Sequence, residues 1–432
     1  MRNSFPVTWT FKKQLGRVIS GVFVFFMLTP TGIADEAAEC GNMHERLTGK
    51  KLDVSRTEDK AKLDACVALA KEGKHAEAAK AFTSDPHFYS VVLKSTFATW
   101  TNEDEKTDVP LNDMLATIMG IARDEIDFRR FLYDDLIYTC NGDATVAQVP
   151  YSLAGDNNDH YVACEGLGFQ GSGIRDALQT STQTAISNNL FVDTANANAP
   201  KQGVPAGVYT TRGFGSVYYN MGTNRAAIRY TLAHFMCEEI DHFKDVTRAD
   251  YHIRRDVERA PGGSVTVFKV DCKGCHAGMD AMGDAFAYMD WDEETSQMII
   301  DTAVRPKMVR APVIDEGWVT TDNKWEILWN QGNNTRVGWA FDSGTYTDSK
   351  GNTVEYPPKR GQGIKDLAIE FANTTQFPKC ISQKVYRKVC VSEFDKLHNN
   401  AVVDELTKHF TDSGYKLREA FAKAASMCAK AP

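Results

Sequence analysis

The sequence has no surplus of positive charge. Its 49 Lys and Arg face 57 Asp and Glu, a formal net charge of −8, so the basic footprint of a nucleic-acid binder is missing. Internal repeats and low-complexity tracts are also missing, which excludes solenoid and collagen-like designs. There is no Gly-rich phosphate loop and no Ser/His/Asp arrangement of the hydrolase kind. Asp156-Asn157-Asn158-Asp159 is acidic but lacks the twelve-residue ligand spacing of a calcium loop, and reads as a plain turn. Only one Cys-x-x-Cys is present, so neither a zinc ribbon built from two such pairs nor a diheme peroxidase fits.

What is present is the composition of a globular protein. Of 432 residues, 43% are hydrophobic and 25% charged, enough to bury a real core over two or three domains or one large one. Arg2, Lys12, Lys13 and Arg17 precede the apolar run Val18–Leu28 (VISGVFVFFML), and Gly32 and Ala34 offer small residues before Asp35. This order predicts a secretory leader over 1–34. The run is too short for the roughly 20 residues that span a bilayer, so membrane contact is expected only through an uncleaved leader. Removing those four cations from 49 leaves 45 against 57 acids, a mature charge near −12.

Export permits disulfides. Of the ten cysteines, Cys272 and Cys275 belong to a motif, and the other eight can pair. Sequence neighbours suggest Cys40 with Cys66 and Cys140 with Cys164. Cys237, Cys380, Cys390 and Cys428 leave three connectivities open.

The fold class expected is mainly α, a helical motif-bearing domain embedded in a larger helical protein with irregular, loop-rich insertions. After the leader, 35–145 reads as helices. Thr57–Lys71 and His75–Phe82 carry helical spacing, Phe88–Trp100 is apolar, and Pro110 opens a predicted helical hairpin whose apolar face runs through Phe128, Phe131, Leu132 and Ile137. Residues 146–210, rich in Gly, Asn, Thr and Ser, predict an irregular connection with a short strand pair. Thr223 or Asn224 can cap a helix running to about Ile240. The motif region is set at 211–316, a Trp/Gly/Asn-rich loop or hairpin insertion at 317–360, and a helical tail at 361–432.

The chemistry sits in Asp271-Cys272-Lys273-Gly274-Cys275-His276. Cys-x-x-Cys-His is the attachment signature of c-type haem. Two thiols on one turn reach the two vinyl groups, and the adjacent imidazole becomes the proximal iron ligand. A thioredoxin-like site would need a βαβ setting, which the pattern does not offer. For the sixth ligand, Met279 and Met282 are tied to the proximal side, and Met289 and Met298 follow on the next stretch. Met308, in the Pro-containing segment Val304-Arg305-Pro306-Lys307-Met308, is the candidate distal ligand. His234 lies in TLAHFM and reads first as a core residue. With His242 and His252 it forms the bis-histidine alternative. Arg254, Arg255 and Arg259 are candidates to neutralise propionates, with solvent-facing cations as the plain alternative. Gly278, Gly283, Phe286, Tyr288 and Trp291 suggest close packing on the porphyrin.

The segment HAGMDAMGDAFAYMDWDEE resembles the haem-binding segment of the large cytochrome-c-like proteins first noted in planctomycetes and found also in predatory and myxobacterial genomes. Their Cys-x-x-Cys-His is followed by a run matched here by Met279-Asp280, Met282-Gly283 and Phe286. Thr211–Phe214, Gly222–Arg225 and the tail with Cys380 and Cys390 extend the similarity. The resemblance implies one covalent haem c and little else, since the family's function is mostly unknown. Taken together, the expectation is an exported, periplasmic single-electron carrier with a redox partner protein. The alternative is a haem enzyme, peroxidase- or oxidase-like, with an exchangeable distal ligand, in which Trp318, Trp325, Trp329 and Trp339 relay holes.

Overall fold

Apolar residues at helical spacing give a mainly α protein, with loop-rich segments between the helices. The computed structural model describes residues 31–141, 148–168, 173–186, 205–220, 222–309, 315–339, 345–347, 353–355, 360–391 and 400–430. The basic and apolar parts of the expected leader lie outside the described residues. Its expected cut before Asp35 falls in the first turn of α1 (Thr31–Thr48). Among the described residues no helix is long and apolar enough to cross a membrane.

Helices α2 (Thr57–Lys71) and α3 (His75–Phe82) occupy the spans their periodicity predicts, and Cys40–Cys66 ties α1 to α2. Residues Phe88–Thr101 are helical throughout but change pitch from π to α to 3-10. The Ser95 and Thr96 hydroxyls donate back to the Val91 and Val92 carbonyls there, a competition that bends helices. Helix α4 (Asp113–Arg123) starts where the Asn112 side chain accepts from Leu115 N–H at 3.1 Å.

The predicted hairpin does not continue as helix through Ile137. Glu125 takes φ +54°, and Leu136–Cys140 (LIYTC) forms strand β1 with all five residues buried. It pairs antiparallel with β2 (Leu178–Thr182), Leu136 facing Thr182 and Cys140 facing Leu178. β-Branched and aromatic side chains suit a pleated surface buried on both sides. Gly120 of α4 lets Tyr138 lie flat against the helix, because a Cβ there would meet its ring at 2.2 Å. The stretch expected to hold an irregular connection with a short strand pair supplies one strand, β2, whose partner β1 lies ahead of it in the chain, and, through Cys140–Cys164, a covalent tie.

Helices α5 (Arg212–Tyr218) and α6 (Arg225–Phe235) lead toward the motif. Asn224 stands at the N-cap of α6, but with φ +60° its side chain does not cap. It donates instead to the carbonyls of Phe286 (3.0 Å) and Met289 (2.8 Å). Helix α6 stops at Phe235, short of the expected Ile240, because Cys237 turns the chain at φ +53° and bonds to Cys380. The motif helix α7 (Lys273–Gly283) is followed by the hairpin β3 (Met289–Asp292) and β4 (Gln297–Ile300).

The Trp-rich stretch is built into the core rather than set apart from it. Trp325, Trp329 and Trp339 are buried in the main apolar cluster, and β5 (Lys324–Glu326) pairs with β8 (Arg360–Gln362). The intervening β6 (Thr345–Thr347) and β7 (Thr353–Glu355) form their own hairpin. Helices α8 (Gly363–Ala372), α9 (Gln376–Cys390), α10 (Asn400–Asp412) and α11 (Leu417–Met427) complete the chain. Helix α11 packs on α3, with Lys80 Nζ 2.6 Å from Glu419 and Arg418 Nε 2.8 Å from Thr83 Oγ1. The N- and C-terminal helical regions thus share one core. Cys390–Cys428 closes α9 onto the end of α11.

Candidate haem attachment site

Helix α7 is preceded by a helical turn, Val265–Val267, and a wider π turn, Phe268–Cys272. Cys272 ends the wide turn, and Cys275 and His276 lie in the first turn of α7. Offsets of three and four put all three on one helical face. Cys272 packs against a small separate apolar cluster of Ile253, Val257, Phe268 and Ala277. Cys275 is half-buried with Sγ 3.9 Å from the Ile240 carbonyl. Burial, with Asp241 adding to it, pushes its thiol pKa up. The other eight cysteines are bonded as Cys40–Cys66, Cys140–Cys164, Cys237–Cys380 and Cys390–Cys428, and Cys272 and Cys275 alone are free thiols.

His276 is partly exposed, and its Nδ1 lies 3.4 Å from Oδ1 of Asp280, one turn further along α7. Asp280 is fully buried. Arg225 reaches it from the start of α6, Nε at 2.6 Å and Nη2 at 3.0 Å, and the Arg254 backbone N–H donates at 3.1 Å. Burial alone would raise the carboxyl pKa, but the bond from His276 and the charges of Arg225 and Arg254 hold it far below the ordinary range. Arg225 also forks onto Asp256 at 2.7 and 2.8 Å. With Nδ1 taken, Nε2 is the nitrogen left for a ligand bond.

One turn further, Asp284 collects four donors. Arg254 Nη2 (2.8 Å) and Thr320 Oγ1 (2.7 Å) bond Oδ1, while His252 Nε2 (2.9 Å) and Trp318 Nε1 (2.6 Å) bond Oδ2. The other His252 nitrogen faces Glu326 at 3.1 Å, and Tyr251 also donates to that carboxylate. Burial pulls the His252 pKa down, but the two carboxylates more than reverse it. Both nitrogens of His252 are therefore engaged. His234 is buried, with Nε2 3.0 Å from Tyr218 OH and its ring stacked on Trp100. Burial, with Lys384's charge adding to it, pushes its pKa down to about 3. His242 is exposed and pairs with Glu238 at 2.9 Å.

Met308 is buried in the 3-10 turn Pro306–Val309. It lines a small cavity with Arg254, Arg255, Asp256, Val309, Trp318 and Val319, and none of the three motif residues lines it. Arg254 connects the two places, its backbone reaching Asp280 while its side chain borders the cavity. Met279, Met282, Met289 and Met298 are buried in the main core.

Several residues expected to face a porphyrin are committed elsewhere. A Cβ at Gly278 would lie 2.2 Å from the Trp329 indole, and one at Gly283 2.9 Å from the Arg254 guanidinium. These glycines admit protein groups. Phe286 packs with Tyr209 and Tyr219, and Trp291 covers Gly155. Arg254 is buried on Asp284, and Arg259 is spent on the Ile253 and Val257 carbonyls and the Phe268 ring. Arg255 borders the cavity, and its Nε has no hydrogen-bond partner among the described residues.

Asp280 had a visible signal, its offset of four from His276 on a helix. Arg225, Asp256 and Asp284 had none, because their partners come from distant segments. Of the ten large apolar side chains exposed among the described residues, seven lie between Val246 and Val319, with Val265, Val267 and Val270 directly ahead of Cys272. Exposed apolar side chains are therefore concentrated in this part of the sequence. Among the described residues no three His, Cys, Asp or Glu side chains gather as a metal-holding group. No family model matches the chain, and neither a curated protein nor a solved structure matches it.

Proposed function

We propose that the protein is an exported monohaem c-type cytochrome that passes single electrons to a periplasmic redox partner, and that it belongs with the large cytochrome-c-like proteins its motif segment resembles. The observation that carries this reading is the pair of free thiols, Cys272 and Cys275, on one helical face beside His276, in a chain whose other eight cysteines are bonded. In a disulfide-forming compartment, a thioether-forming role accounts for a closely spaced pair that is not bonded. A closed zinc site has less support, because among the described residues no three His, Cys, Asp or Glu side chains gather as a metal-holding group.

A bound haem supplies reversible one-electron iron chemistry. The chain's part is to hold it. Cys272 and Cys275 would form the thioethers, His276 would offer Nε2, and Val265, Val267 and Val270 would provide apolar surface beside the attachment turn. Arg255 is the arginine left that could meet a propionate, and Met308, although buried in a cavity that none of the three motif residues lines, is the sixth ligand proposed from the sequence, one whose soft thioether would favour the ferrous state. The leader and four disulfides fit export.

His276→Ala tests the reading. Wild-type protein made with cytochrome c maturation should show a low-spin spectrum. The variant should lose its haem or turn high-spin, because the proximal imidazole both anchors the iron and sets its field. His234→Ala should stay low-spin. A low-spin His276 variant with full haem content would overturn the assignment.

A further inference from the structure

We infer that Asp280 is a positioning residue for His276: it holds the imidazole by Nδ1, leaves Nε2 as the ligating nitrogen and strengthens it as a donor, so that the centre's reduction potential is lower than it would be without the carboxylate. This rests on the haem reading above.

The geometry has three parts. Asp280 is fully buried one helical turn from His276, with Oδ1 3.4 Å from Nδ1. Its position is fixed from outside the helix. Arg225 takes both oxygens, Nε on Oδ1 at 2.6 Å and Nη2 on Oδ2 at 3.0 Å, and the Arg254 backbone N–H takes Oδ2 at 3.1 Å. Arg225 is itself held by Asp256 at 2.7 and 2.8 Å, so the carboxylate cannot swing away without breaking a second ion pair. An ionised carboxylate offers about four lone-pair positions. The scaffold fills three, and the remaining one faces the ring.

A carboxylate can only accept, so the ring proton belongs on Nδ1. Such a partner fixes the tautomer and orientation of a ligating histidine and raises its basicity. A more basic ligand stabilises the oxidised iron more than the reduced iron. Outer-shell hydrogen bonding is one of the levers that set a haem potential. A carboxylate serving only to anchor Arg225 would leave the potential alone apart from its charge.

The test compares Asp280→Asn with Asp256→Asn by spectroelectrochemical titration of holoprotein. Asp256→Asn removes one negative charge from the same arginine without touching His276, so its shift sets an upper bound on the effect of charge, any loosening of Arg225 included. Haem content of the wild type is read first. Wild type without covalent haem sinks the cytochrome reading and this inference with it. Given haem, Asp280→Asn should raise the potential by at least tenfold in the oxidised-to-reduced ratio, 59 mV for one electron, and Asp256→Asn by less than half of that. Equal shifts in the two variants would overturn the role of Asp280 and leave the cytochrome reading standing. Should Asp280→Asn fail to fold, the wild type carries the test: in the cyanide-bound ferric protein, the hyperfine-shifted Nδ1 proton of His276 should exchange slowly in deuterated water. A resonance lost at once on transfer would refute the bond.

Discussion

Asp284→Ala should be among the most destabilising single substitutions in this chain, lowering the free energy of unfolding by about 3–5 kcal/mol, the usual cost of leaving buried charges without their partner. Asp284 is the common acceptor for Arg254, His252, Trp318 and Thr320, and Arg254, His252, Thr320 and Asp284 are all nearly excluded from solvent. Removing the carboxylate takes the shared acceptor from a buried guanidinium, from one nitrogen of His252 and from two neutral donors. Urea unfolding should show a lower midpoint at unchanged slope. A loss under about 1 kcal/mol would mean that water replaces the carboxylate. The network also has a pH signature. The raised pKa of His252 gives stability that is complete below its ordinary value of 6.5 and disappears as pH rises through the folded value. The lowered pKa of Asp284, where burial is outweighed by His252 and Arg254, gives stability present above its ordinary value of 3.8 and lost as pH falls through the folded value. Both edges should flatten in the variant.

Replacing Cys237 and Cys380 by alanine should cost about 5 kcal/mol, the chain-entropy figure for a loop of this size. The bond spans 143 residues, and the loop it closes holds the Cys272–His276 motif, the Asp284 network and the buried Trp325, Trp329 and Trp339. Cys140–Cys164, spanning 24 residues, should cost about 3.5 kcal/mol on the same basis. Urea titration of the two double variants gives the comparison. Equal losses would show that local packing, not loop closure, sets the value of these bonds.

What could be read in advance follows the range of the interactions. Helices α2 and α3 are set by apolar spacing within about 15 residues, and the sequence pattern locates both. The two short disulfides are legible for the same reason. Cys237–Cys380 and Cys390–Cys428 are not, since choosing among three pairings requires knowing that α6, α9 and α11 meet. Leu136–Cys140 is apolar in a way that suits helix or strand. Its partner, Leu178–Thr182, decides the matter from some 40 residues away. The attachment motif is a local signal and stands out. Its surroundings are not local: Gly278 looks like room for a porphyrin until Trp329 arrives from the other side of the core. Likewise Arg254 reads as a free cation until Asp284 is placed against it.

The central claim is that Cys272 and Cys275 carry one covalent haem. Denaturing electrophoresis with peroxidase-activity staining tests it directly, on full-length protein from a host with working cytochrome c maturation, paired with intact mass. The account predicts haem co-migrating with the polypeptide, a mass increased by a single haem, and loss of both in a Cys272→Ala/Cys275→Ala variant. An unstained band of bare polypeptide mass, or zinc in its place, would contradict it.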